Sequence, residues 1–558
     1  MAKKGRTYKH PSNGNCKDTK DFRRPGKKGP SKDKNYEEDN YKTMDNDLSW
    51  YSKNSQLLFD SANINYPYPV GSKMSLSYKS AAEDSTLEYY LPGIYQIGWR
   101  PSVGVSKDEA SAVNIAARNV YSYIRQANSG AKNYDSNDLM IYLLAMDSCY
   151  AFHAFLIRLY GVIRNTAVTV RYMPEALTKV CGGDYTDLTA HLADLRYYIN
   201  FYGARLSAMA VPNNMYYFTR HRWMSANVYA DEPSSKPQLY VFVPEGFYKF
   251  GYDADKAGKL IYTPLGAVPS GVTSEVANIK GLTFEQLRTY GEALLAPIIG
   301  DEDFNIMSGD ILKAYSSNIV MVPTITEDYT TGFAYSPEVL EQIHNLQCFE
   351  TDWDANTWDI VQSADKSYLE FKPTCSPIVV MPEVFIDSKL DVPSAGDSMI
   401  LSRLITMIEL DPEDPDTTAY LSTSGSEVVT SCHEYQYVTT TDAIGFPGTL
   451  VGRNMPTLNY LLPSVNASTG SVVNDSLTWN KIVNSLGVGS ADRAPLRTWL
   501  IGSAKMTTTT SGKTYSASMV IRVTGQKNNL SKLGRDSLDR MHQTALLSLF
   551  NSSCRFPL

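Results

Sequence analysis

The residues best suited to catalysis are Cys432, His433 and Glu434, which follow one another in the chain. His433 and Glu434 begin an HExxH motif, in which two histidines on one helix face bind zinc and the glutamate activates water. Position 437 is a tyrosine, so the second zinc ligand is missing. Cys432 and His433 could act as nucleophile and base, but adjacent residues of a strand point to opposite faces. Neither arrangement therefore predicts a catalytic site.

A second stretch, GGDY at 182–185, resembles the Gly-Asp-Asp turn of viral RNA polymerases. The second metal-binding aspartate is absent, and Asp184 or Thr186 is a residue type that caps the start of a helix. The chain contains neither a GxxxxGK[S/T] phosphate loop nor a GxGxxG turn. We therefore predict no catalytic residue, cofactor or metal ion, and for 558 residues this favours a structural or binding protein.

Two further histidines have structural interpretations. His153 lies in an apolar helical stretch, where we expect a buried histidine with its hydrogen bonds satisfied. His221 lies in the cationic stretch RHRW at 220–223, which predicts a surface position.

Helices are predicted first between about 106 and 212. The stretch SKDE at 106–109 has the pattern of a capping box and predicts a helix that ends near 128. A second helix, about 137–163, is apolar on all sides, and a third, from about 186, ends at Pro212. Three charged or polar residues interrupt the second helix, which favours a buried helix over a membrane span.

Further helices are predicted up to residue 345 and again near the C-terminus, where Leu538, Met541, Ala545 and Leu549 share one face. Near 365 the pattern changes to short β-type runs separated by polar loops; the clearest runs are at 378–380, 435–440 and 519–523. The sequence predicts an α+β protein, with a mainly helical part at 46–365 plus 526–558 and a strand-rich inserted domain at 366–525.

Positive charge is concentrated at the N-terminus. Residues 1–34 contain three acids and twelve bases and carry +9, while the remainder has 40 bases against 56 acids and carries −16. Because residues 1–45 contain almost nothing apolar, we predict that they form a disordered arm. Dispersed bases neutralise phosphates without fixed geometry, so the sequence predicts binding to a polyanion such as RNA with little sequence preference. The alternative for this segment is a solvated tail or a localisation signal. The predicted RNA-binding residues are Lys3, Lys4, Arg6, Lys9, Lys17, Lys20, Arg23, Arg24, Lys27, Lys28, Lys32 and Lys34.

The cysteines and the first residues indicate the compartment. The seven cysteines are scattered and form no CxxC pair, which is typical of reduced thiols and predicts no zinc site. The start MAKKGRTYKH has no apolar stretch behind its charges, unlike a signal peptide. We therefore expect synthesis in the cytoplasm.

Five stretches resemble picobirnavirus capsid proteins: 46–71, LPGI at 91–94, PSVG at 101–104, 111–152 and RYMPEAL at 171–177. The resemblance implies a mainly α shell domain with a β-rich inserted protruding domain. It also implies that the subunits pair as intertwined dimers and form a small icosahedral shell around double-stranded RNA. Some relatives lose an N-terminal peptide by self-cleavage, but no motif identifies such a cut in this chain. Membrane contact during entry is a further implication of the family.

The alternative prediction is a cellular or viral non-enzymatic RNA-binding protein that forms no shell. Such a protein would present a basic folded surface, whereas the body of this chain carries −16. The uneven charge argues against this alternative, and the resemblance implies a capsid protein of the virion, with itself and viral RNA as partners.

Overall fold

The structure is a computed structural model. It describes residues 48–64, 73–79, 84–90, 94–128, 130, 134–165, 173–233, 237–266, 281–346, 353–376, 383–388, 390–414, 418–438, 449–454, 502–510, 513–521 and 529–552. The chain divides into two units, of which the first ends at Pro67.

The first unit contains a 3-10 turn, Leu48–Trp50, and helix α1, Ser55–Ala62. The side chain of Asn54 caps this helix by accepting hydrogen bonds from the backbone amides of Gln56 and Leu57. The described residues of this unit contain no buried apolar side chain, so capping and local bonds define the helix.

In the described part of the second unit the helices are α2 (Ala112–Ala127), α3 (Ser136–Arg164), α4 (Met173–Val180), α5 (Tyr185–Ala190), α6 (Leu192–Leu206), α7 (Tyr216–Ala226), α8 (Phe284–Ile299), α9 (Glu302–Tyr315), α10 (Pro337–His344), α11 (Ala395–Leu401) and α12 (Arg535–Phe550). A 3-10 turn occupies Ala355–Trp358.

The strands of the same unit are β1 (Lys73–Lys79), β2 (Asp84–Tyr90), β3 (Ile94–Pro101), β4 (Val228–Ala230), β5 (Leu239–Pro244), β6 (Gly246–Tyr252), β7 (Gly258–Pro264), β8 (Phe333–Tyr335), β9 (Val361–Gln362), β10 (Leu369–Glu370), β11 (Thr374–Cys375), β12 (Glu383–Ser388), β13 (Met407–Leu410), β14 (Ala419–Thr423), β15 (Glu427–Val438), β16 (Thr449–Asn454), β17 (Gly502–Thr510), β18 (Lys513–Ile521) and β19 (Asn529–Gly534).

Helix α3 runs through the main core. Its 29 residues begin at a capping box formed by Asp135 and Asp138 and are buried on nearly every side. Length and composition alone would allow it to cross a membrane, but its apolar surface is covered by the protein's own helices and strands. The prediction of a buried helix is confirmed.

A six-stranded sheet in the order β16-β15-β3-β5-β4-β8 packs against the helical core. Strands β3 and β5 pair in parallel, and β15 pairs antiparallel with β3. Alternate residues of β5 enter two apolar clusters, Val241 with α3 and Phe242 with α10. Because both faces are covered, β5 is a continuous apolar run without alternation.

The remaining strands form small antiparallel groups: β1 with β2, β6 with β7, β9 with β10, β12 with β19, β17 with β18, and the three-stranded β11-β14-β13. The described chain is thus an α+β protein, which confirms the overall class predicted from sequence.

Several predicted helices needed correction. Helix α2 begins at Ala112 after Ser111, because the hydroxyl of Ser106 instead donates to the carbonyl of Leu369 at 2.5 Å. The predicted third helix is divided at His191 into α5 and α6. The prediction that helices continue from 212 is wrong for 228–264, which contains four strands.

The C-terminal helix is present as α12, but its fully buried side chains are Leu538, His542, Leu546 and Phe550. The predicted β run at 378–380 lies outside the described residues. The runs at 435–440 and 519–523 are described as far as Val438 and Ile521, where β15 and β18 end. The division of the chain into a helical domain and an inserted domain stays a prediction.

Candidate functional site: a buried charge cluster

The residues singled out in the sequence lie in separate places. All twelve predicted RNA-binding residues of the N-terminal arm lie outside the described residues. Asp184 caps α5, because its carboxylate accepts hydrogen bonds from the amides of Thr186 and Asp187 at 2.9 and 3.1 Å. Cys432 is a buried residue of β15 and pairs across the sheet with Ile97. In the described ranges, no group of three His, Cys, Asp or Glu side chains could hold a metal ion.

The described residues instead bring together buried charges from α3, α7 and β15. Asp147 lies in the middle of α3 and His221 lies in α7, and both side chains are almost fully buried. Nδ1 of His221 is 2.5 Å from Oδ2 of Asp147. The prediction that His221 lies at the surface is therefore wrong, because the carboxylate of Asp147 requires a buried partner.

The His221–Asp147 pair resembles two members of a hydrolytic triad, but the third contact differs. Nε2 of His221 donates to the backbone carbonyl of Ser426 at 3.0 Å. The hydroxyl of Ser426 bonds instead to Glu427 and accepts from Nη2 of Arg403 at 2.8 Å. A histidine that donates from Nε2 cannot remove a proton there, so this arrangement does not activate Ser426 as a nucleophile.

Glu427, the first residue of β15, lies between two arginines and is fully buried. Its Oε1 accepts from Nε and Nη2 of Arg220 at 3.0 and 2.5 Å, and its Oε2 lies 3.3 Å from Nη2 of Arg403. Arg220 also stacks over Trp223, with 4.7 Å from its guanidinium carbon to the ring centroid, and donates to Gln342 of α10 at 3.1 Å. Arg220 binds one oxygen of the carboxylate and Arg403 the other, so the two arginines together fix Glu427 in one orientation.

The pKa values of the groups in this cluster depend on burial and on these charged partners. Burial acts to raise the pKa of Glu427, but Arg220 and Arg403 outweigh it and lower the pKa to about 2. Burial acts to lower the pKa of His221, but Asp147 and Glu427 outweigh it and raise the pKa. Burial also raises the pKa of Asp147. Both members of the His221–Asp147 pair therefore retain the proton they share to higher pH.

The arrangement connects elements that are distant in sequence. Arg220 and His221 of α7 hold the start of β15 through Glu427 and Ser426, while Asp147 connects α7 to α3. These hydrogen bonds lie in the interior, so the cluster fixes β15 to the helical core.

The buried histidines predict how stability changes with pH. Burial lowers the pKa of His153 and of His542 to about 4, from an ordinary value near 6.5. Between pH 6.5 and 4 these two histidines are protonated in the unfolded chain but still neutral in the folded chain. The free energy of unfolding therefore falls as the pH is lowered through this range, by up to about 3 kcal/mol for each histidine. His221, whose pKa is raised, acts in the opposite sense: its contribution is full below about pH 6.5 and is lost as pH rises through its folded pKa.

The measurement is the thermal unfolding midpoint between pH 4 and 9 for the natural chain and for His542→Gln. The variant keeps a donor for the carbonyl of Ile405, to which Nε2 of His542 is bonded at 2.9 Å. We expect the unfolding midpoint of His542→Gln to fall less than that of the natural chain as the pH is lowered from 6.5 to 4. His191→Gln, at an exposed histidine, is the control. If the unfolding midpoints of all three proteins fell equally steeply at low pH, His542 would not be a cause of the loss of stability.

Comparison with known proteins indicates the family to which this chain is similar. A family model for the picobirnavirus capsid protein matches residues 50–378 of this chain. The capsid protein precursor of human picobirnavirus (strain Human/Thailand/Hy005102/-) is 31% identical over an alignment of 335 residues, and the match covers 57% of this chain. The chain spans 59% of the length of that relative.

The fold has a solved counterpart. An X-ray structure of the picobirnavirus capsid matches with a TM-score of 0.71 at 20% identity, over 92% of this chain and 100% of that one. At this identity the likeness is one of fold. The family model, in contrast, covers more than half of the sequence. The chain therefore belongs to the picobirnavirus capsid protein family.

Proposed function

We propose that the chain is a non-enzymatic capsid subunit, which assembles as dimers into an icosahedral shell around a double-stranded RNA genome. The observation that carries this proposal is the family match over residues 50–378. The likeness of fold to a picobirnavirus capsid over 92% of the chain supports it. Symmetric, self-complementary contacts are what close such a shell.

Within the subunit, the body at 46–365 plus 526–558 is proposed as the shell domain, and the strand-rich insertion as the protruding domain. We infer that the protruding part is smaller than 366–525. Strands β13, β14 and β15 fall inside that range, yet Ile408, Leu421 and Val428 are buried in the main core. A segment whose side chains fill the core of the body does not move away from it as a separate domain.

The N-terminal arm is proposed to face the interior of the virion and to bind the RNA. Its +9 contrasts with −16 on the rest of the chain, so attraction to phosphate is concentrated there. Synthesis in the host cytoplasm and membrane contact during entry remain expectations from the sequence and from the family.

Assembly of the purified full chain tests the proposal. We expect closed particles in negative-stain micrographs and a large, uniform species by light scattering, because shell contacts need no other protein. Only monomers across protein and salt concentrations would contradict a capsid function.

A further inference from the structure

Helix α6 presents an apolar stripe that the described residues leave largely exposed, with the guanidinium of Arg205 over one end at 5.5 Å from the centroid of the Phe201 ring. Tyr197 is 72% exposed and Phe201 is 45% exposed, although both are large aromatic side chains. Their rings stack, with centroids 6.2 Å apart and planes 9° apart. Ala193 and Ala204 lie on the same exposed side of the helix. The other side is buried against the core through residues such as Tyr202.

Opposite charges flank this stripe at its two ends. Asp194 lies in the first turn of α6 and Arg205 in the last. At 3.6 residues per turn, both lie on the same flank of the line from Tyr197 to Phe201. Measured from the level of Ile199, midway between the two aromatic residues, Asp194 is about 8 Å towards one end and Arg205 about 9 Å towards the other.

This spacing is self-complementary. If two copies of α6 pack antiparallel about a two-fold axis at the level of Ile199, Tyr197 of one copy meets Phe201 of the other. The two-fold axis reverses the direction along the helix but leaves each flank of the stripe on the same side of the contact. Asp194 of one copy therefore also meets Arg205 of the other. Arg205 already donates to Glu292 at 2.6 Å, and its guanidinium has further donors for a second carboxylate.

We propose that the exposed stripe of α6 is a contact with a second copy of this chain, in which the two helices run antiparallel. The proposal rests on the assembly proposed above and names one of its surfaces. Stacked aromatic residues are suited to this use, because they bury much apolar area with little loss of side-chain freedom.

The size of the stripe indicates when the contact forms. A helix of 15 residues is only about 22 Å long, so two such faces bury less than the 1,200–2,000 Å² typical of stable complexes. The contact therefore forms within the assembled shell, where it is repeated many times, and is too small to hold an isolated dimer.

The test uses the full chain with Asp194→Arg, which opposes two positive charges across the proposed axis. Glu302→Arg is the matched control, because Glu302 is an exposed acid in the first turn of α9, a helix of similar length. Both reversals remove the same favourable interaction with a helix dipole, but only the first touches the stripe. A second variant, Tyr197→Ser with Phe201→Ser, removes the aromatic pair.

Assembly is followed by light scattering over a range of protein concentrations, and folding by circular dichroism. We expect Asp194→Arg and the double variant to need about tenfold more protein than the natural chain for particle formation, which is about 1.4 kcal/mol per subunit. Glu302→Arg should assemble like the natural chain. If the double variant does not fold, Asp194→Arg decides alone. Assembly of Asp194→Arg at the concentration of Glu302→Arg would overturn the contact, while a natural chain that forms no particles would overturn the proposed function itself.

Discussion

Replacing Glu427 with alanine is expected to destabilise the fold by about 3–5 kcal/mol, because it leaves two buried guanidinium groups without their carboxylate. Arg220 and Arg403 both contact Glu427, and their side chains are only 13% and 11% exposed. Little water can therefore reach either guanidinium to replace the lost carboxylate. The measurement is the denaturant midpoint of the full chain by circular dichroism, at constant pH near 7.

The matched control is Glu109→Ala, which removes a carboxylate from a solvent-exposed pair. Glu109 lies 2.9 Å from Arg118, with side chains 60% and 46% exposed, so its loss should cost less than about 1 kcal/mol. Replacing Glu427, Arg220 and Arg403 together by methionine should destabilise the fold less than Glu427→Ala, because no buried charge is then left unpaired. Equal midpoints for Glu427→Ala and Glu109→Ala would show that the buried charges do not stabilise the body.

Deleting residues 1–34 is expected to remove most of the RNA from purified particles while leaving assembly intact. The segment carries twelve of the 52 basic residues and almost no apolar side chains, so it contributes binding charge and little packing. If half of the twelve engage at once, the affinity should fall with salt at a log–log slope of about −4 to −5, with little sequence preference. The readout is the nucleic-acid to protein ratio of ultraviolet absorbance for both proteins.

Two full-length controls separate charge from chain length. Changing the twelve bases to glutamine should reproduce the deletion, because the length is kept and the charge is lost. Changing Asp18, Asp21 and Asp33 to asparagine should instead strengthen RNA binding and steepen the salt dependence. If particles without residues 1–34 contained as much RNA as particles of the full chain, the rest of the chain, and not the N-terminal arm, would bind the genome.

Helix α3 illustrates how much of the fold could be predicted from sequence. Its apolar residues on all sides predict burial, and the three polar interruptions each find a partner inside the protein. Asp147 bonds to His221, His153 to the carbonyl of Ile199, and Arg158 to the carbonyl of Phe242. The sequence indicates that such partners must exist, but not which distant residues supply them.

The candidate site was missed for that reason. His221 stands in a cationic stretch that resembles a surface segment, and only tertiary packing brings it to Asp147, 74 residues away. The signal available in the sequence was the aspartate itself, which cannot be buried without a donor. Strand β5 was missed for a different reason: a short apolar run buried on both faces has no period of two and cannot be distinguished from a helix by pattern alone.

The most direct test of a closed shell around RNA is protection of that RNA from ribonuclease. Particles of the full chain are purified, treated with ribonuclease, and their RNA is extracted and measured against free RNA of the same length. A closed capsid predicts that the RNA survives until the particles are opened with denaturant, after which it is digested. RNA degraded at the rate of free RNA, with the protein still bound, would contradict the capsid proposal and favour an RNA-binding protein that forms no shell.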